Sequence, residues 1–503
     1  MDNLEKLKLF REMVENKKTA SGSVSGKKSA KERLEMLFDD GTFIETDSFL
    51  KSRNVLTGET NYADGVIAGY GTVMGKLVYA YAQDFGVLNG SISEMNCKKI
   101  AKVYDAALKT GAPIVSVIDC GGIRLDDGLD ALCSYNEVMK KAVDASGLVP
   151  QISVVLGVCA GSMTFIPAIS DFSFIVDKQS EMYITSKEVL KGVNNEDNVD
   201  FASASFNGAN GSCEFVAKSE EDAFLNLKKL LGLLPSNNFE QAEITDTSDD
   251  FNRATPDIIN IIPSDDKSEY DVKDIIKSVA DNFDFMEVSE TYAKNMVTGF
   301  IKLGGITVGV VANQPNEKGG VIDNLGAKKA ADFITKCDSF NIPVLSFTDS
   351  EGFELSLEDE KWGMIKDVAK LGYAFASSTV AKVNVVLRKS YGAAYLYMNS
   401  KQMGADLSYA LPTAVITATT PEVALNMLYA DEIKKYDDPK AGRIEIMNKY
   451  KDEVASPYEA AKRGYIDDVV DPEYLRPVLV SAFDVLLTKR EDIIDKKHGN
   501  MPL

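Results

Sequence analysis

Strand-like apolar runs that end in glycine or a polar residue alternate along this chain with helical patterns, and the arrangement occurs twice. The sequence therefore predicts an α/β protein built from two copies of one unit. Three observations carry this. The runs Val66–Gly69, Leu77–Ala82, Ile114–Asp119, Ile152–Leu156 and Phe172–Val176 have strand length, and Ser93–Thr110 and Leu129–Ser146 have helical periodicity between them. The pattern returns at an offset of 230 residues: Gly69 and Gly75 match Gly299 and Gly305, Pro113 to Asp119 match Pro343 to Asp349, and Gly122 matches Gly352. One residue later in phase, Ser153–Leu156 with Gly161 matches Asn384–Leu387 with Gly392. An offset held over some ninety residues describes a duplicated domain, far longer than a solenoid repeat. Third, residues 236–256 are polar and acidic with almost no apolar periodicity, which is linker composition, so the domains are expected at 1–250 and 251–503.

The elements follow in order. Leu4, Leu7, Phe10 and Met13 have helical spacing, so the first fourteen residues are expected as an amphipathic helix. Residues 15–29 are basic and Ser/Gly-rich and are expected as a mobile loop, with a second helix at about 29–38. Residues 152–170 carry no charge over nearly membrane-spanning length. Gly157, Gly161, Ser162, Thr164 and Pro167 interrupt them, which predicts a buried strand, a glycine turn and a helix start instead.

Composition narrows the chemistry. The 503 residues carry a net charge of −21, which disfavours nucleic acid as a partner. The single histidine, His498, lies in a polar tail, so no Ser-His-Asp triad, Cys-His dyad or histidine zinc site can be built in a core. The six cysteines form no C-x-x-C pair and read as reduced, small hydrophobes of a cytoplasmic protein. The charged N-terminus is no signal peptide, there is no G-x-x-x-x-G-K-[ST] loop, and Gly69-Tyr70-Gly71 sits in a hairpin-like segment rather than in a dinucleotide motif. Acidic clusters such as Glu220-Glu221-Asp222 and Asp249-Asp250 are expected as solvated surface, and Trp362 as packing.

The chemistry-bearing candidates are glycine turns in duplicated positions. One strand of each copy runs into Asp119-Cys120-Gly121-Gly122-Ile123-Arg124 or Asp349-Ser350-Glu351-Gly352-Phe353. The next runs into Cys159-Ala160-Gly161-Ser162-Met163 or Tyr391-Gly392-Ala393-Ala394-Tyr395. Glycine lets backbone approach a ligand, and two such turns on neighbouring strands can aim two N–H donors at one oxygen, an oxyanion hole that needs no histidine. Taken singly, each glycine is better explained by a tight turn alone.

At these residues the chain resembles the carboxyltransferase subunits of biotin-dependent acyl-CoA carboxylases and decarboxylases, of the propionyl-CoA carboxylase beta and methylmalonyl-CoA decarboxylase alpha types. The resemblance runs from Ser29–Glu35 to the C-terminal helices. Its specific segments are Gly157–Gly161 with Pro167–Phe172, Asn313-Gln314-Pro315, Arg388–Tyr395 and Ser456–Val469. It implies two duplicated crotonase-like ββα-spiral domains, the N-terminal one holding acyl-CoA and the C-terminal one biotin, in a homo-oligomer of dimers, usually a hexamer. Carried over, the first hole would use Gly122, Ile123, Gly161 and Ser162 for a thioester enolate. The second would use Gly352, Phe353, Ala393 and Ala394 for the ureido oxygen of biotin, whose nitrogen then serves as base. Gly121, Ala160, Tyr391, Gly392, Tyr395 and Leu396 would line the substrates.

The chain departs from the family at several positions: Ile123 adds bulk beside the thioester, and Ala393 adds a methyl where biotin approaches. Leu396 stands where propionyl-type enzymes have an acid, at a position that shapes the acyl pocket. There is no Ala-Met-Lys-Met signature and no ATP-grasp pattern. Biotin must therefore arrive on a biotin carboxyl carrier protein, with a biotin carboxylase or a decarboxylase membrane subunit as further partner. The implied reaction moves a carboxyl group between biotin and the α-carbon of propionyl/methylmalonyl- or acetyl/malonyl-CoA, no metal being required. The rivals are the reverse direction in a sodium-pumping methylmalonyl- or glutaconyl-CoA decarboxylase, a biotin-independent crotonase-type enzyme, and a non-catalytic scaffold.

Overall fold

The computed structural model describes residues 2–21, 27–53, 62–194, 200–491 and 497–502. The chain forms two compact units, Met1–Gln241 and Ala242–Leu503, whose boundary lies inside the polar stretch 236–256.

Unit 1 holds strands β1 (Ile44–Thr46), β2 (Val66–Val73), β3 (Lys76–Gln83), β4 (Ile114–Cys120), β5 (Gln151–Ala160), β6 (Phe172–Val176), β7 (Glu181–Tyr183) and β8 (Phe215–Ala217). Their order is β1-β2-β3-β4-β5-β6-β8, with β7 paired to the far end of β5. Unit 2 repeats this with β9 (Met286–Val288), β10 (Met296–Leu303), β11 (Ile306–Asn313), β12 (Val344–Ser350), β13 (Lys382–Tyr391), β14 (Leu407–Ala410), β15 (Val415–Thr417) and β16 (Asp468–Val469). There the order is β9-β10-β11-β12-β13-β14-β16, with β15 paired to β13. In both sheets the first three strands are antiparallel and the rest parallel. A helix crosses between β3 and β4 (Glu94–Thr110) and between β4 and β5 (Gly128–Ala145); in unit 2 Asn324–Ser339 and Met364–Ser377 do the same.

The repeated glycines have steric reasons. A Cβ on Gly69 would lie 2.1 Å from the Ile44 carbonyl oxygen, and one on Gly299 would lie 2.4 Å from that of Met286, where the edge strands β1 and β9 pair with β2 and β10. Gly75 and Gly305 close hairpins with φ of 78° and 82°, and a carboxylate receives the amides of each turn. Asp39 accepts from Met74 and Gly75, and Asp281 from Gly304 and Gly305.

The long uncharged run resolves as expected into β5, a single 3-10 turn at Gly161–Thr164 and the short helix Phe165–Ile169. Among the described residues no helix is long and apolar enough to cross a membrane. Four expectations change. The first helix runs on to Ser21, so the loop expected at 15–29 is helical in its first half, and residues 22–26 lie outside the described residues. Its stripe of Leu4, Leu7, Phe10 and Met13 is exposed, whereas Val14 is buried. Trp362 is 73% exposed rather than packed. Glu220 is buried and Asp249 half-buried, each paired with an arginine, Arg33 and Arg253.

Candidate active site

The candidate site residues gather at the ends of β4 and β5 in unit 1 and of β12 and β13 in unit 2. Each strand pair slips register just before its turns, between Ile118 and Cys120 and between Thr348 and Ser350. A carboxylate fills the gap. The Val158 amide donates to Asp119 Oδ1 and the Lys389 amide to Asp349 Oδ1, both over 3.1 Å. Each carboxylate is fully buried and answered by an arginine: Arg33 Nη1 lies 3.0 Å from Asp119, and Arg388 Nε 3.0 Å from Asp349. Tyr270 Oη also donates to Asp349 over 2.8 Å. Burial still raises the Asp349 carboxyl above its ordinary range, against the pull of Arg388 and Lys389.

In unit 1, Gly122 has φ 106°, which only glycine adopts without strain, and its missing Cβ faces the Ala160 carbonyl at 3.8 Å. The two turns therefore abut. The Gly122 amide donates to Cys120 Sγ over 3.4 Å, and the Gly121 amide to the Asn89 carbonyl. Ile92 flanks the turn, donating to the Gly122 carbonyl and accepting from the Arg124 amide, both over 2.8 Å. Ile123 between them has, among the described residues, no acceptor for its N–H. Across from it, Gly161 (φ 61°) and Ser162 open the 3-10 turn, whose first amides have no acceptor within the turn. The Tyr135 hydroxyl, donating to the Ser162 carbonyl over 2.7 Å, fixes that turn.

Unit 2 repeats the plan. Gly352 has φ 113°, its missing Cβ faces the Tyr391 carbonyl at 3.3 Å and the Ala393 nitrogen at 3.8 Å, and its amide donates to Ser350 Oγ over 3.1 Å. Ile322 brackets Phe353 as Ile92 brackets Ile123 and leaves the Phe353 N–H, among the described residues, without an acceptor. Gly392 gives its amide to the Thr417 carbonyl over 2.8 Å, so the amides that open the helix Ala393–Tyr397 start at Ala393. The geometry thus divides the candidate pairs. Gly122, Gly352 and Gly392 shape the turns with their amides engaged, while Ile123 and Phe353 keep theirs available. Ala394 is wholly buried, and Ala393 is the partly exposed member of its pair.

A cleft of about 480 Å³ opens beside the second pair of turns. Gly392, Tyr395 and Leu396 line it, with Tyr450, Arg463 and Tyr465 on the other wall. The Tyr395 hydroxyl donates to Gln402 over 2.6 Å and Leu396 is 54% exposed. Tyr391 is not among the residues lining the cleft; it is buried, and its hydroxyl has no hydrogen-bond partner among the described residues. Beneath the second turn the buried Lys389 ammonium reaches Glu351 and the Gly319 carbonyl, each at 3.4 Å; the matching residue of unit 1 is Val158. Sequence reasoning gave no role to Asp119, Asp349, Arg33 or Arg388. Both aspartates recur at the repeat offset, which is a signal; their arginines come from unrelated places, which is none. Among the described residues no cluster of acids, cysteines or histidine could hold a metal.

Each unit thus carries two abutting backbone turns, with one N–H, that of Ile123 or Phe353, left without an acceptor among the described residues. Residues 23–501 match the carboxyl transferase domain family, and the chain belongs to it. It is 41% identical to the methylmalonyl-CoA decarboxylase subunit alpha of Veillonella parvula over 99% of both chains. It is 42% identical to the propionyl-CoA carboxylase carboxyltransferase subunit of Haloferax mediterranei, over 96% of this chain and 95% of that one. Its fold matches the transcarboxylase 12S crystal structure, a hexamer with methylmalonyl-coenzyme A and methylmalonic acid bound. The TM-score is 0.94 at 39% identity, over 99% of this chain and 98% of that one. Each unit is a crotonase-like domain, and the chain is a biotin-dependent acyl-CoA carboxyltransferase.

Proposed function

We propose that this chain moves a carboxyl group between biotin, carried on a partner chain, and the α-carbon of a short acyl-CoA, with propionyl/methylmalonyl-CoA ahead of acetyl/malonyl-CoA. The observation that supports this most directly is the duplicated pair of turns in which Ile123 and Phe353 hold unengaged N–H groups opposite Gly161 and Ala393. On this reading unit 1 takes the thioester. The Ile123 amide and the amides opening at Gly161 and Ser162 hold its oxygen as negative charge develops, with Gly121 and Ala160 alongside. Unit 2 takes biotin: Phe353 and Ala393 face its ureido oxygen, and Tyr395 and Leu396 wall the ring. The cleft beside Gly392, apolar on one side and closed by Tyr450 and Tyr465, suits a compact ring with one polar edge. When bound, biotin supplies the nitrogen that accepts or releases the carboxyl group. The chain's own amides supply the electrostatics, worth about 3–4 kcal/mol per donor in such sites.

The decarboxylase direction stands as a second reading, because the Veillonella parvula decarboxylase subunit matches this chain end to end. Both directions use one site. Partners on either reading are a biotin carrier and a carboxylase or a membrane decarboxylase subunit, and the chain works in the cytoplasm as a homo-oligomer built from dimers. Exposed Leu125 and Leu132 recur at the repeat offset as exposed Leu355 and Trp362, apolar surface that a second copy would cover.

The test is biotin-dependent decarboxylation by the purified chain, with biocytin and malonyl-, methylmalonyl-, ethylmalonyl- or glutaconyl-CoA. Turnover that requires both biocytin and one ester supports the proposal and identifies the acyl group. Turnover without biocytin assigns a lone crotonase chemistry, and silence from a folded oligomer across the panel rejects this substrate set.

A further inference from the structure

Each oxyanion turn is followed by a charged residue whose side chain ties it down, and the two ties have opposite polarity. In unit 1 Arg124 follows Ile123. Its guanidinium bonds Ser91 Oγ at 3.1 Å, the Ser91 carbonyl at 3.2 Å and Asp64 Oδ1 at 2.5 Å. Asp64 also accepts from Ser93, the residue that caps the helix Glu94–Thr110. Arg124 and Asp64 side chains are 4% and 0% exposed. In unit 2 the residue after Phe353 is Glu354. It pairs with Lys318 at 2.8 Å, and Lys318 pairs at 3.0 Å with Asp323, which caps the helix Asn324–Ser339. Lys318 and Glu354 are 52% and 27% exposed. The same mechanical link, turn to helix cap, is therefore a buried arginine fork in one unit and a solvent-facing ion pair in the other.

We propose that Arg124 and Glu354 are positioning residues for the two turns. The first turn is held rigidly at all ionic strengths, whereas the second is held by a link that salt loosens. A buried bidentate arginine keeps its geometry and is little screened, whereas an exposed lysine–carboxylate pair is weak and screened within a few ångströms at high salt. The inference rests on the function proposed above, with unit 1 as the acyl-CoA side. It predicts that the acyl side is insensitive to salt and the biotin side compliant.

The experiment uses the full-length oligomer and biocytin-dependent decarboxylation of methylmalonyl-CoA, from about 0.05 to about 0.5 M salt. Arg124→Met removes the fork, and misplacement of a reacting geometry by about 1 Å costs about a hundredfold. The expected result is a kcat reduced by that factor at every salt concentration with the KM for biocytin unchanged. Arg124→Lys recovers part of it, since an ammonium reaches Asp64 but cannot fork onto Ser91. The double variant Arg124→Met/Asp64→Asn removes both buried charges, and carries the test if the single variant fails to fold. Glu354→Gln is expected to raise the KM for biocytin about threefold at low salt and to match the wild type at high salt. Folded Arg124→Met and double-variant oligomers with wild-type kcat, or a Glu354→Gln effect that does not change with salt, overturn the inference. A wild-type chain silent with every ester instead overturns the function it rests on, so the two failures are distinct.

Discussion

The Val158 amide donates to Asp119 Oδ1 over 3.1 Å at the place where β4 and β5 slip register. A ladder bond lost to the slip is replaced by a carboxylate, which in turn holds Arg33 at 3.0 Å and Lys27 at 3.1 Å. Asp119 thus joins the strand end that carries Gly122 to the helix Ala30–Leu37. Asp119→Ala leaves the 1% exposed Arg33 short of one of its two carboxylates and the amide unsatisfied. Breaking a buried pair in this way costs about 3–5 kcal/mol. Asp119→Asn keeps an acceptor for the amide and costs less. Urea unfolding of the three proteins side by side measures the order.

Gly157 has no side chain because none fits. A Cβ there would sit 2.1 Å from Asp119 Oδ1 and 2.3 Å from its Cγ. Gly157→Ala must push the carboxylate off the Val158 amide. It should destabilise unit 1 by about 3 kcal/mol, at the upper end for overpacking, and Asp119→Ala in the same chain should relieve part of that cost. Thermal unfolding of the single and double variants checks both.

These two positions show how far the sequence carries. The duplication was legible because the glycines that recur at 230 residues do so for shared steric reasons, the close approach of the edge strand β1 at Gly69 and of β9 at Gly299. The four turns were legible because strand, small residues and helix start occur in one order in both copies. What supports them was not. Gly157 corresponds to Arg388, so the register slip is built by a residue with no side chain in one unit and by a long cation in the other. Arg33 reaches Asp119 across 86 positions, whereas Arg388 reaches Asp349 from the neighbouring strand. Nor could spacing tell an engaged amide from a free one. That distinction depends on Cys120 Sγ, Ser350 Oγ and the Thr417 carbonyl, which take the amides of Gly122, Gly352 and Gly392.

Thiol chemistry should single out one residue. Cys133 is exposed, while the other five cysteines are buried. Burial pushes the Cys120 thiol up to about 11 and the Cys213 thiol up to about 12. Only a thiolate attacks an alkylating agent. Iodoacetamide at neutral pH should therefore add one group to the native chain, at Cys133, and all six after denaturation, as read by peptide mass spectrometry. Modification of Cys120 in the native protein would contradict the packing of the first turn.

Lys329 gives unit 2 a pH dependence with a definite sign. Its ammonium is buried, donating to the Ser289 and Tyr292 carbonyls at 2.8 Å each. Burial lowers it to about 7, with Lys273 acting the same way and Glu287 and Glu290 opposing. Between that value and the ordinary 10.5 the unfolded chain binds a proton that the folded chain has released. At this group, stability therefore rises with pH through that window and is lost as pH falls through 7. Lys329→Met removes the contribution. The melting temperature of the variant relative to wild type should fall progressively between pH 7 and pH 10, and a constant difference would mean that Lys329 stays charged.

The proposed main-chain origin of the first oxyanion hole can be separated from side-chain bulk at Ile123. Its N–H has no acceptor among the described residues, so the fold loses no hydrogen bond when it is removed. Ile123→Pro takes away the donor while keeping an apolar ring against the same core. Ile123→Val keeps the donor and trims one methyl. Loss of one oxyanion donor lowers kcat by about 10²–10³-fold, so Ile123→Pro should fall by that factor in biocytin-dependent decarboxylation with the folded oligomer intact. Ile123→Val should hold its kcat and accept a bulkier acyl group, seen as a lower KM for ethylmalonyl-CoA relative to methylmalonyl-CoA. Equal activity of the two variants would remove the Ile123 amide from the mechanism and leave the first hole to Gly161 and Ser162.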